Sequence, residues 1–129
     1  MLNSSTIMNI IVFDTETTGL LDRSSGDLAK QPYVCQFASV TLDSDLIPTG
    51  EIDKLIRPPV PIPENVSAIN GITNEMVAGA PTFGEVVEEL MAEFHAAAIA
   101  VAHNIEYDQR VIEAELERLG RPRNFLPSR

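Results

Sequence analysis

The sequence predicts an α/β layer fold around a mixed sheet. An apolar, β-branched run, Asn9 to Asp14, reads as a strand, and the long segments after residue 82 carry apolar residues at spacings of three and four, as helices do. The predicted order is β-β-β-α-α-β-α, in which strands and helices share one core.

Asn9-Ile-Ile-Val-Phe-Asp14 has no period of two, which suits a central strand buried on both faces. After TETTGL, the polar stretch Asp22 to Gln31 reads as a flexible loop, and Tyr33 to Leu42, with Val, Phe, Thr and Tyr, as a second strand. Asp43-Ser44-Asp45 and Pro48-Thr49-Gly50 carry turn chemistry, so Glu51 to Arg57 is expected to return antiparallel to the second strand. These three strands make a meander. Pro58, Pro59, Pro61 and Pro63 lack ladder donors and force an extended surface run.

Pro63 suits the first turn of a short helix ending near Gly71, and Thr73 to Val77 fits a second. Thr82 and Glu85 form a capping box, so a longer helix starts at Phe83, with Val86, Val87, Leu90, Met91 and Phe94 as its buried stripe. Ile99 to Ala102 is expected to be a short buried strand, and Ile105 to Leu119 a helix closed by Gly120 with Pro122 beyond it.

The 129 residues suffice for one core and are too few for two comfortable domains. Residues 1 to 8 are expected to be a flexible N-terminus, frayed over residues 1 to 7, and 9 to 129 a single domain. Nine Lys+Arg against nineteen Asp+Glu give a net charge of −10, which argues against wrapping of long duplex nucleic acid. An enzyme that takes a strand end through divalent cations stays open, because the ions reverse the local field. Cys35 has no disulfide partner, no apolar run approaches a membrane span, and MLNSSTIMN lacks the features of a signal peptide. A cytoplasmic setting with no membrane association is expected.

Asp14 and Glu16 stand at the carboxyl end of the first strand, where ligand sites of α/β sheets lie. In extended chain, i and i+2 share a face, so the two carboxylates can converge on one cation. Thr17, Thr18 and Gly19 follow directly, offering hydroxyl donors and close backbone approach to a phosphate or sugar. Asp108 falls by spacing on the stripe of Ile105, Ile112, Leu116 and Leu119, where a charge needs a partner. A third ligand for magnesium or manganese answers that need. Asn104 is placed as an N-cap, and His95 and His103 read as structural, since neither has zinc-site spacing.

VFDTETTGL resembles the first motif of the DEDD superfamily, the DnaQ-like 3'-5' exonucleases of DEDDh type, and AHNIEYDQRVIEAEL resembles its second, Asn-x-x-(Phe/Tyr)-Asp. Between them, PENVSAINGITNEMV is similar to the family segment that usually reads His-Gly-Ile-Thr. The resemblance implies an RNase H-like mixed sheet, a three-strand antiparallel meander plus a parallel strand with flanking helices. It also implies two divalent cations, Mg2+ or Mn2+, and release of nucleoside monophosphates from a single-stranded 3' end. Asp14, Glu16 and Asp108 match three of the family's four acids: Asp14 bridging both ions, Glu16 on the ion that generates the nucleophile, Asp108 on the leaving-group ion. Thr17, Gly19 and Leu20 match positions that hold the terminal nucleotide, and Ile69 and Asn70 match the stretch that packs on it, with Asn104 beside them.

The sequence departs from the family in two places. Asn70 stands where His is usual, and no His follows His103, so the third motif, a His and later an Asp, is absent and the domain's C-terminal part is expected to be missing. The chain by itself is then expected to be a weak or inactive nuclease that pairs with a second copy through uncovered apolar surface. A DNA polymerase subunit is the other implied partner. Two rival classes are a non-catalytic module that binds a polymerase or a nucleic-acid end, and a haloacid-dehalogenase-like phosphatase, whose D-x-D-x-T the run Asp14 to Thr18 approaches.

Overall fold

The structure, a computed structural model, describes residues 8–127; the expected fraying of residues 1 to 7 lies outside them. Four strands form one sheet: β1 (Ile10–Thr17), β2 (Val34–Leu42), β3 (Pro48–Leu55) and β4 (Ile99–Val101), in the order β3-β2-β1-β4. β1 and β2 pair antiparallel from Ile10↔Leu42 to Thr17↔Val34, β3 adds antiparallel to β2, and β4 runs parallel to β1 from Ile10↔Ile99 to Val12↔Val101. The helices are α1 (Glu64–Asn70), α2 (Asn74–Val77), α3 (Phe83–Ala96) and α4 (Ile105–Arg118). None of the helices among the described residues is long and apolar enough to cross a membrane.

The parallel pairing of β4 brings the carboxyl ends of β1 and β4 to the same end of the sheet. The chain leaves β4 through Ala102 to Asn104 and enters α4, so the helix start lies beside the end of β1. α3 begins as its sequence dictates: the Thr82 hydroxyl accepts from Glu85 N at 3.3 Å, and the Glu85 carboxylate accepts from Thr82 N at 2.9 Å. Its stripe, with α4's Val111, Ile112 and Leu116, covers the sheet face bearing Ile11, Phe13 and Phe37. Phe94 is the hub, edge-on to Phe13 and to Phe125 at 4.9 Å each and to Phe37 at 5.9 Å. Gly71 and Gly120 close α1 and α4 with φ of 77° and 72°, the left-handed geometry that glycine adopts without strain.

The structure corrects several expectations. β1 runs on to Thr17 and alternates: Ile11, Phe13, Thr15 and Thr17 are buried, whereas Val12 and Asp14 are exposed. It is central in the sheet but covered on one face only. β3 starts at Pro48 and stops at Leu55, because an edge position tolerates proline and because Arg57 N turns away to donate to Pro81 O at 2.8 Å. β4 is not buried. Ile99 and Val101 are each 44% exposed, since among the described residues β4 pairs with β1 alone and its other edge is open. In α4, Ile105 and Leu119 lie at the uncovered helix ends and are exposed, while Asp108 and Glu115 are buried among the apolar residues. The stretch Asp22 to Gln31 is not loose: it holds a 3-10 turn at Leu28–Lys30, and the Gln31 carboxamide accepts from Asp22 N at 3.1 Å and donates to Asp22 O at 3.0 Å and Ser25 O at 3.2 Å.

Candidate active site

Asp14 and Glu16 project from the open face of β1, as the two-residue repeat requires. Neither carboxylate takes part in a hydrogen bond or ion pair among the described residues. Asp108 reaches the same strand from α4. Its Oδ1 accepts from Thr15 N at 3.1 Å and from the Thr15 hydroxyl at 2.6 Å, and the residue is 2% exposed. The third carboxylate is therefore fixed at the residue between the other two, across 93 positions of sequence.

The fields agree with that placement. Burial pushes Glu16 above the ordinary carboxylate range, and the charges of Asp14 and Asp108 push it further. Burial also raises Asp108, the two Thr15 hydrogen bonds oppose this, and Asp14 adds to it. Among the described residues, no three His, Cys, Asp or Glu side chains form a ready-made metal cluster. The donor chemistry is nevertheless that of a hard divalent cation: Asp14 and Asp108 both disfavour the charge on Glu16, Asp14 disfavours that on Asp108, and the Asp14 and Glu16 carboxylates have no protein partner among the described residues.

Beyond Glu16 the strand is bulged, with a register shift between Glu16 and Thr17, and the chain turns out of the sheet. The turn is braced by its own polar groups. The Thr17 and Tyr107 hydroxyls are hydrogen-bonded to each other at 2.5 Å, and both lie within hydrogen-bond distance of Gly19 O, at 2.7 and 2.9 Å, so that one donates to the other and the second donates to the carbonyl. A Cβ built on Gly19 would meet nothing within 4 Å, so the space beside its backbone is open to a ligand. Leu20 and Ile69 face each other's neighbourhood bare, 88% and 87% exposed. They line a cavity of about 280 Å³ together with Glu16, Thr17, Gly19 and Asn70.

Five of the six expected substrate residues thus surround one cavity, and the sixth does not. Asn104 occupies the N-cap of α4 but makes no side-chain capping bond, and it is exposed outside the cavity. Asn70 is committed to the protein: its Nδ2 donates to Thr17 O at 3.2 Å and its Oδ1 accepts from Ile72 N at 3.0 Å. It ties the end of α1 to the end of β1. His103 is exposed, not part of a core, and shares with Asp14 a hollow of about 470 Å³ on the open sheet face. His95 is exposed in the last turn of α3.

Sequence reasoning missed Thr15, Tyr107, Asn65 and Val66, all of which line the cavity. Tyr107 had a signal, one place before Asp108 in the second motif; Thr15 had none beyond lying between two acids. Cys35, at the β-bulge, is inert: burial, then the Glu16 charge, pushes its thiol up to about 11.

Residues 11–124 match the RNase_T exonuclease family. A DNA polymerase III subunit epsilon-like protein of Rhodobacter capsulatus is 39% identical over 102 residues, which is 78% of this chain and 14% of that protein. The DNA polymerase III subunit epsilon of Treponema pallidum is 36% identical over 104 residues, 81% of this chain and 44% of that protein. Among solved structures, a moderately thermophilic exonuclease I from Methylocaldum szegediense superposes with a TM-score of 0.71 at 25% identity, covering 86% of this chain and 24% of that one. The chain thus spans less than half the length of these relatives. The phosphatase alternative gains no support from any of these likenesses. With its three motif-bearing acids around β1 and a match over nearly its whole length, the chain belongs to the RNase_T exonuclease family, the DnaQ-like 3'-5' exonucleases.

Proposed function

We propose that this chain is the metal-dependent core of a 3'-5' exonuclease that removes nucleoside monophosphates from single-stranded 3' ends. The observation that carries this is the seating of the Asp108 carboxylate on Thr15, the residue between Asp14 and Glu16 in β1, beside a mostly apolar cavity. Asp14, Glu16 and Asp108 would hold two divalent cations, Mg2+ or Mn2+. When bound, these supply an activated water and charge stabilisation for an in-line phosphoryl displacement.

The chain's own residues do the remaining work. Thr15 fixes the rotamer of Asp108, so that carboxylate needs no reordering when substrate arrives. Leu20 and Ile69 offer exposed apolar side chains to the terminal base, and the Thr17 to Gly19 backbone faces its sugar. Tyr107 and Asn70 line the same cavity, where they would contact the terminal nucleotide. The polymerase subunits among the relatives make a polymerase a fitting partner, and the cytoplasm the fitting compartment.

The test is an assay of the intact natural protein on a 5'-labelled single strand. Mononucleotides should be released stepwise from the 3' end with Mg2+ or Mn2+, and chelator should stop the release. Asp14→Asn should lose about 100-fold or more, because even outer-shell partners of metal ligands are worth 10–100-fold. Internal cuts, or turnover that survives chelation, would contradict the assignment.

A further inference from the structure

Far along α4 from Asp108 lies a buried polar cluster that the proposed reaction does not use. Glu115 is 6% exposed, and its Oε2 accepts from Val34 N at 2.7 Å. Arg118, 3.5 Å from Glu115, spreads its guanidinium over three backbone carbonyls: Nη2 donates to Leu28 O at 2.9 Å and Gln31 O at 2.8 Å, and Nη1 to Pro32 O at 3.2 Å. The same group stacks on the Tyr33 ring at 3.7 Å from its centroid. Its Nε is left buried with no partner, a cost that the fork geometry tolerates to gather those carbonyls.

What this clamp holds is one step from the cavity. Tyr33 N donates to the Thr18 hydroxyl at 3.0 Å, and Thr18 N donates back to Tyr33 O at 2.9 Å. Thr18 lies between Thr17 and Gly19, the turn whose other side Tyr107 braces. α4 thus grips the turn twice, directly through Tyr107 at its start and through Tyr33 from its end. We propose that Arg118, with Glu115, is a positioning residue that sets the Thr17–Gly19 turn for the terminal nucleotide. The proposal rests on the exonuclease assignment. It requires the effect to fall on nucleotide binding and not on the carboxylates, because the clamp touches none of the three acids.

Two substitutions separate this from a merely structural role. Arg118→Lys keeps the charge beside Glu115 but loses the planar fork and the stack, and Tyr33→Leu removes the stack while leaving the backbone bonds to Thr18. Steady-state kinetics of the intact protein on a single-stranded oligonucleotide should show KM raised roughly fivefold in each variant, with kcat within about twofold of wild type, the pattern of lost uniform binding. The Mn2+ concentration for half-activation should not move. An unchanged KM with kcat reduced in step with the folded fraction would overturn the proposal, as would a shift in Mn2+ dependence. If Arg118→Lys does not fold, Tyr33→Leu decides by the same criteria. Should wild type release no mononucleotide, the exonuclease assignment fails and this proposal with it; an active wild type with unaltered variants sinks this proposal alone.

Discussion

Asp108 is held by donors and not by a counter-charge, and that choice leaves its negative charge available. Thr15→Val keeps the shape of the side chain but deletes the 2.6 Å bond. Hydrogen bonds to charged groups contribute about 1.5–3 kcal/mol, so chemical denaturation should show a loss in that range and activity should fall with it. Glu16 and Asp108 both titrate above their ordinary values, which fixes the sign of their pH dependence. Their contribution favours the folded state below the usual carboxylate pKa of about 4 and is lost as pH rises through the raised values. In metal-free buffer, Glu16→Gln should therefore raise Tm at pH 7 and change little at pH 4. In Mn2+ the same variant should gain less stability than wild type; an identical metal-induced shift in both would remove Glu16 from the site. Asp14 and Glu16 were legible because two-residue spacing fixes a shared face, and Asp108 because a charge on an apolar stripe demands a reason. Thr15 was not, because its partner is 93 positions away and only the parallel pairing of β4 brings α4 to it.

At the scale of elements, local signals were strongest where the backbone itself must be satisfied. The capping box at Thr82 and the left-handed Gly71 and Gly120 set helix ends as expected. Thr82→Ala should cost about 1 kcal/mol, read from the urea midpoint at constant m-value. Strand edges were harder. The apolar run of β1 resembles a strand buried on both faces, yet burial depends on what covers the sheet, and period alone cannot report that. The same holds for β4, whose Ile99 and Val101 read as core and stand exposed. The polar loop Asp22 to Gln31 looked mobile by composition, although its glutamine turns back to bond its own backbone.

Across the whole molecule, packing and charge are divided between the two sheet faces. One face carries the aromatic cluster around Phe94, and Phe94→Ala should cost about 3–5 kcal/mol by opening a cavity that touches β1, β2 and the segment at Phe125. The other carries Asp14 and Glu16 in a chain of net charge −10, a field that repels polyanions and that the proposed cations would offset. The division leaves Asp14 and Glu16 on the open face, while the buried Thr15 holds the Asp108 carboxylate beside them. Its most direct test is a titration with Mn2+ followed by paramagnetic broadening of backbone amide signals. The amides of Thr15, Glu16, Thr17 and Tyr107 to Gln109 should broaden together at substoichiometric Mn2+, and Asp14→Asn should abolish the effect. Broadening spread over other acids such as Glu51 and Asp53, or β1 and α4 amides that respond independently, would show that the three carboxylates do not share an ion.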